Sequence, residues 1–335
     1  MMQVKSIYYK ASSIIFAAAF VVSSSAAFAA SRSVVASKRD ALTENICDKP
    51  SRLSEQYEDA NCDLLADKPS DLSSLRNPET LVWAYTPIED PVIYAELFKP
   101  FTRYLASCVG RQIVYYPVQS EKAQVKAFAK GRLHFAGFAT GATVSAVEIA
   151  AAQPFAAKGT ADGIRSYRLI SIVRAESSFE DLKDLTGYRV AHTTDKSNSG
   201  NHAARYFFPE QGLKVDIDYK PIMSGGHSQS ILGVLNGDYD MAAVASDVFE
   251  RMVDRGSVNL HDFRIIYESP LFPTSSFVLA HDLDEALSTL LKTCFFNFRF
   301  PAEMSAEFQG DNQFLPINYE SDWQAVRDII GAKKM

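Results

Sequence analysis

The chain has 335 residues, 47% of them hydrophobic and 22% charged, with a formal net charge of −6. That is ordinary globular composition, with length for two domains or lobes. An acidic balance argues against nucleic acid, which calls for a basic face, but leaves a small anion open, because local dipoles rather than net charge hold such ligands.

Residues 1–29 read as an export signal. Lys5 and Lys10 form a basic start, residues 14–22 an apolar core, and Ala27-Phe28-Ala29 a small-x-small cleavage site. The apolar run is short for a membrane span, and the alternative is a retained N-terminal anchor. No Cys stands at the cleavage site, which argues against a lipoprotein. Removing Lys5 and Lys10 takes the net charge from −6 to −8. No other long apolar run exists, so the remainder is expected to be soluble.

Residues 30–78 are polar and weakly periodic and read as an N-terminal extension. Alternating strands and helices start at Leu81. Residues 81–85 form a strand. Asp90-Pro91 is a helix start, and the helix runs toward Cys108 with Pro100 as a kink or break. Residues 112–118 are a β-branched, aromatic strand. Ser120 caps a helix over 121–130 that ends at Gly131. A strand over 133–139 leads through Thr140-Gly141 into an apolar helix over 142–152. Residues 167–174 are a strand leading out of this lobe.

The next stretch repeats one pattern three times. A strand over 188–193 ends in Asp195-Lys196-Ser197-Asn198-Ser199-Gly200, followed by a helix over 201–208. A strand over 219–223 ends in Ser224-Gly225-Gly226-His227, followed by a helix over 228–235 closed by Asn236-Gly237. A strand over 241–245 ends in Ser246-Asp247, followed by a helix over 248–253. Residues 263–267 are a strand leading back, 275–280 a further strand and 284–296 a helix.

Strands alternating with helices predict an α/β fold with mixed, mostly parallel sheets. Lobe one is expected over 79–176 plus 271–335, and lobe two over 177–270. Two connections, near 175–180 and 267–272, would make a two-strand hinge.

In such a sheet, ligands sit at the carboxyl ends of the strands. Helix N-termini there offer unpaired N–H groups and the positive end of a dipole. Glycines and hydroxyls at those termini form an anion site without lysine or arginine. Each loop also has a plainer reading. Ser197-Asn198-Ser199-Gly200 could be a helix cap, and His227 a capping or packing histidine. Asp247 could accept a hydrogen bond from a protonated oxyanion, pair with a ligand amine, or act as a helix cap. Trp83 and His192 lie inside strands and read as packing and structural residues. His134, His202, His261 and His281 show no joint spacing for a metal. No cofactor is expected, and no nucleophile–base pair or G-x-S-x-G elbow indicates an enzyme.

Four cysteines remain: Cys47, Cys62, Cys108 and Cys294. An even count in an exported chain points to disulfides. Of three possible pairings, Cys47–Cys62 is local and leaves Cys108–Cys294, which would tie an early helix to a late one. The alternative is that Cys108 and Cys294 are buried thiols.

The loops 197–200 and 224–227, the run 237–247 and the segment 181–187 together resemble the periplasmic phosphonate/phosphite/phosphate-binding proteins of ABC importers, over roughly residues 80–300. The resemblance implies a two-lobed clamp of the periplasmic-binding-protein kind, monomeric, that closes on a phosphorus oxyanion and delivers it to a membrane permease. A partner of a periplasmic sensor that binds the same ligand is the other possibility. Carried over residue by residue, Ser197, Asn198, Ser199, Gly200 and His227 would hold the anion, and a bound dianion would favour a protonated His227. Asp247 would face the crevice. From lobe one, Tyr85, Thr86, Phe138 and Thr140 would follow the strand ends. Phe138 stands where members that bind an aminoalkyl phosphonate often carry an aromatic hydroxyl, and would supply an apolar wall.

Overall fold

The structure is a computed structural model that describes residues 47, 52–86 and 91–332. The export signal expected over 1–29, the start of the extension and Asp90 lie outside the described residues. The chain divides into a short unit, residues 1–48, of which only Cys47 is described, and a main unit, residues 49–335, that contains both lobes.

Lobe one is built on β1 (Thr80–Tyr85), β2 (Gln112–Tyr115), β3 (Phe135–Phe138), β4 (Ala152–Thr160) and the short β5 (Gly163–Ile164). The chain then crosses out through β6 (Ser166–Tyr167). Lobe two holds β7 (Leu169–Arg174), β8 (Val190–His192), β9 (Pro221–Met223), β10 (Met241–Ala245) and β11 (Phe263–Glu268). The chain returns through β12 (Phe272–Pro273) and completes lobe one with β13 (Ser276–Ala280) and β14 (Gln313–Pro316).

Both sheets are mixed. In lobe one the order is β14-β4-β13-β3-β1-β2, with β5 folded back on β4. β1 runs parallel to β2 and β3, while β13 returns antiparallel between β3 and β4. In lobe two the order is β11-β7-β10-β8-β9. β10, β8 and β9 are mutually parallel neighbours, and β7 is antiparallel to β10 and β11.

The hinge has two strands, but the outgoing one comes earlier than 175–180. Residues 167–174 are not one strand of lobe one: Arg168 separates β6 from β7, and β7 pairs with β10 and β11 inside lobe two. The apolar run 169–173 is buried on both faces, which is why it belongs to the centre of a sheet rather than to a crossing. β6 and β12 pair antiparallel, Tyr167 opposite Phe272 and Ser166 opposite Pro273.

Local signals explain most elements. The helix Lys99–Val109 starts afresh after Phe98, with Pro100 in its first turn, so the proline marks a break. Ser120 caps the helix Glu121–Ala129 by accepting from the Ala123 N–H at 3.2 Å. Behind the lobe-one sheet lies an aromatic core. Phe101 sits 4.8 Å from Phe295 and 5.0 Å from Phe314 between ring centroids, and Trp83 stacks on Phe135. The final helix, Gln324–Ala332, packs on the helix Thr140–Ala150 of lobe one and also on the helix Ala203–Phe207 of lobe two. The described part of the extension runs along lobe one. Ser54 donates its N–H to the Glu148 carbonyl, and Arg76 forks onto Asp282.

Cys108 and Cys294 form a disulfide between the helices Lys99–Val109 and Glu285–Asn297, which removes the buried-thiol alternative. Cys47 and Cys62 are each in a disulfide too. The Cys108–Cys294 bond closes a long loop, so its loss should be costly. Replacing both by alanine should destabilise the protein by about 2–5 kcal/mol, read as a lower midpoint in urea with a steeper slope, since the denatured chain loses its cross-link.

Candidate functional site

Because β10, β8 and β9 lie side by side and run the same way, the loops that follow them share one edge of lobe two. These are the three loops singled out in the sequence. Lobe one meets them with the loops after β2 and β3, and the hinge adds Tyr167 and the turn Thr274-Ser275. Together they bound a cleft of about 810 Å³. Ser197, Asn198, Ser199, His227, Asp247 and Thr140 all line it.

The first loop is tied down by its own polar groups. The Ser197 hydroxyl accepts from the Gly200 N–H at 3.1 Å. The helix then opens with a wide π turn, Asn198–His202, in which the His202 N–H reaches back to the Ser197 carbonyl. Such turns occur frequently at functional sites. Gly200 itself does not line the cleft. Its backbone packs on Thr193, and a Cβ there would lie 2.0 Å from the Thr193 hydroxyl. Glycine is needed at this position for close packing beneath the loop.

The second loop turns on Gly225, whose φ of +95° lies in the left-handed region that glycine favours. It delivers His227 as the first residue of the helix His227–Asn236. The Ala245 N–H donates to His227 Nδ1 at 3.1 Å. Nδ1 is therefore an acceptor, and the ring proton sits on Nε2. Nε2 lies 3.5 Å from the Ser197 hydroxyl. The imidazole presents an N–H donor while neutral, so the protonated form expected from a dianion is unnecessary, and it would cost the bond from Ala245.

In the third loop Ala245 occupies the cap position, and Asp247 is not the cap. Asp247 pairs with Arg251 at 3.0 Å, one turn along the helix Ser246–Asp254. Burial pushes the Asp247 carboxyl up, but the charge and hydrogen bond of Arg251, with a smaller contribution from Lys158, outweigh it and hold it below the usual carboxylate range.

Lobe one departs further from expectation. Thr140 lines the cleft, its hydroxyl bonded to the Pro273 carbonyl at 2.9 Å. Thr86 does not line it. Its buried hydroxyl donates to Gln124 at 2.7 Å and accepts from the Ala139 N–H, locking the ends of β1 and β3 together. Phe138 does not line it either. It is fully buried and packs edge-on against Phe128, on the core side of β3. Tyr85 is buried and borders only a small inner chamber behind the cleft, where it accepts from Lys158 Nζ at 3.0 Å.

The aromatic hydroxyl that Phe138 lacks comes instead from Tyr167 on β6. The Asn198 amide donates to it at 3.1 Å, across the hinge. Burial raises the Tyr167 hydroxyl to about 12, against hydrogen bonding from Thr140, Asn198 and Ser199. It stays a neutral donor at every physiological pH. The Asn198 side-chain oxygen is buried without a partner. Tyr167 could not be found from periodicity, because its strand read as continuous with β7. Thr274-Ser275 could have been found, since a small polar run follows β12 just as one follows β8.

The lobes touch across the cleft. Thr194 in lobe two donates to Glu121 in lobe one at 2.8 Å. Gly141 packs so closely on the Lys196–Asn198 backbone that a Cβ would lie 2.3 Å from the Lys196 carbonyl oxygen. Arg255 pairs with Glu307, and Gln309 donates to Glu250 at 3.0 Å.

Comparison with known proteins bears on this arrangement. The family described as the periplasmic substrate-binding protein of phosphonate ABC transporters matches residues 83–323. The chain is 28% identical over 250 residues to the phosphate-import protein PhnD of Mycolicibacterium smegmatis, covering 69% of this chain and 75% of the relative. It is 23% identical over 232 residues to the phosphonates-binding periplasmic protein of Escherichia coli, covering 68% of each. Among solved structures it is similar to PhnD1 from Prochlorococcus marinus in complex with methylphosphonate, with a TM-score of 0.68 at 19% identity, covering 77% of this chain and all of the other.

Two tests follow from the interlobe contacts. Gly141→Ala should leave the fold intact and hinder closure, weakening ligand binding by roughly ten-fold or more, since expelling one methyl from so close a contact costs about 1–3 kcal/mol. Glu121 gives a pH test. Burial raises its carboxyl above the usual value, against the Thr194 hydroxyl and Lys196. A group whose pKa rises on closure takes up a proton, so closure should be favoured as pH falls from neutrality toward the ordinary carboxylate range. Small-angle scattering of the ligand-free protein should show compaction over that range, and Glu121→Gln should abolish the pH response.

Proposed function

Because the chain belongs to the family of periplasmic phosphonate-binding proteins of ABC transporters, a family of solute-binding proteins rather than enzymes, we propose that it captures a phosphonate or a related phosphorus oxyanion between its lobes and passes it to an inner-membrane permease. The observation that carries this reading is the His227 tautomer. Its Nε2–H is directed toward the Ser197 hydroxyl at the mouth of two helix N-termini, where an oxyanion would collect uncharged donors.

In this reading Ser197, Ser199 and His227 donate from lobe two and Tyr167 from the hinge, while Thr140 lines the lobe-one wall with its hydroxyl donating to the Pro273 carbonyl. Asn198 replaces Tyr167 as a donor if its amide turns over, so that the oxygen accepts the tyrosine proton and the NH2 group faces the anion. Binding needs contacts from both lobes, so the ligand favours the closed arrangement over the open one by the difference in contacts. Neutral donors in a water-poor cleft hold an anion by charge-assisted bonds. The relatives named for phosphate import and phosphonate binding support a phosphorus head group. A volume near 810 Å³ is in the range of clefts for small organic molecules, which leaves space beyond the head group for a substituent. An exported, periplasmic, monomeric protein is the setting in which such capture serves a permease.

Titration calorimetry with methylphosphonate, phosphite, phosphate and sulfate tests the reading. One phosphorus oxyanion should bind tightly and sulfate should give no heat. Ser199→Ala or His227→Ala should each weaken that binding about 10- to 100-fold, the worth of one hydrogen bond to a charged group, with no change in the thermal midpoint of the unliganded protein beyond a few degrees. Unaltered affinity in both variants would refute the site.

A further inference from the structure

Ser275 borders two spaces. It lines the cleft, and it also borders the small inner chamber together with Tyr85 and Lys158. All three residues are buried. Their polar ends form a chain. Lys158 Nζ donates to the Tyr85 hydroxyl at 3.0 Å, and the Tyr85 hydroxyl donates to Ser275 Oγ at 3.1 Å. Packing holds the chain in place. The Tyr85 ring lies 4.9 Å from Phe98 and 5.0 Å from Tyr94 between centroids. Gly137, its neighbour on β3, leaves the room that the ring fills, since a Cβ there would lie 2.3 Å from it. Lys158 in turn lies over the Phe308 ring, 4.7 Å from its centroid.

The first member of this chain sets the direction of every proton in it. An ammonium group can only donate. The Tyr85 oxygen therefore accepts from Lys158, and its own proton goes to Ser275. The Ser275 oxygen accepts in turn, so its proton needs another acceptor. Among the described residues none lies within bonding distance, and the cleft is the larger space that Ser275 borders. A buried hydroxyl whose proton goes unused costs free energy. An oxyanion in the cleft would supply the acceptor. Bonds in such a chain polarise one another, so the ammonium at its far end strengthens the last donor.

We infer that Ser275 is a further donor to the bound oxyanion, and that Lys158 and Tyr85 are its positioning residues, ordering the protons so that the last one points into the cleft. The inference rests on the phosphorus-oxyanion reading above. It adds a donor from the turn after the returning hinge strand β12, and it gives Lys158, which lies outside the cleft, a part in anion binding.

A double-mutant cycle tests it. Methylphosphonate, phosphite and phosphate are titrated by calorimetry into the wild-type protein, Ser275→Ala, Tyr85→Phe and the double variant, with circular dichroism to check folding. Ser275→Ala should weaken whichever of these the wild type binds by about 10- to 100-fold, the loss expected for one hydrogen bond to a charged group. Tyr85→Phe keeps the ring and breaks the chain, and should weaken binding by roughly three-fold or more. Added to Ser275→Ala, the same change should cost nothing further, because no last donor is left to direct. Equal cost in both backgrounds is the mark of a merely structural Tyr85 and overturns the positioning role. Lys158→Met, which keeps the length of the stem, closes the same cycle where Tyr85→Phe does not fold. Unchanged affinity in Ser275→Ala overturns the inference and leaves the phosphorus-oxyanion reading intact. Silence of the wild-type protein toward all three ligands overturns that reading, and the inference with it.

Discussion

The first N–H groups of a helix have no partner within the helix, and the rest of this site depends on how the chain deals with that. Three parallel neighbours, β9, β8 and β10, end on one edge of lobe two, so the helix starts that follow them are gathered in one place. A protein can satisfy such groups with capping side chains, water or a ligand. Here the capping is partial. Ser197 caps its own loop, Gly226 brings no side chain to the second helix, and Ala245 brings none that could bond to the third. The donors left over are what an anion would find.

Closure depends on small residues as much as on donors. Gly141 lets the helix of lobe one press on the Lys196–Asn198 backbone, and Gly200 lets the loop lie flat on Thr193. With the lobes so close, Tyr167 can reach Asn198 from the hinge. A hydroxyl on a crossing strand changes little in position as lobes rotate about it. In the proposed reading the hinge therefore contributes to recognition as well as to motion.

The sequence was informative where one residue type has one physical use. Three repeats of strand, small polar turn and helix were legible, and the structure brings Ser197, Asn198, Ser199, His227 and Asp247 together on that basis. Lobe one was harder to read. A residue at a strand end can face the cleft or the core, and only the neighbours decide which. Phe138 turns to Phe128, and Thr86 is taken by Gln124 and Ala139, partners far away in sequence. The break at Arg168 was hidden because the residues on both sides of it suit a strand. Lys158 carried no signal at all: it lies in the strand Ala152–Thr160, and its buried place arises from Tyr85 and Phe308 meeting it in space.

The bond between Cys108 and Cys294 spans 186 positions of chain, and all of lobe two lies inside that span. Lobe two is therefore an insert whose two ends leave from one covalently closed frame. A protease that cuts a loop of lobe two once would produce two fragments that still migrate as one species until a reductant is added. The clamp could survive such a nick with both halves held in register, a kind of durability suited to a compartment where thiols stay oxidised and peptidases are common.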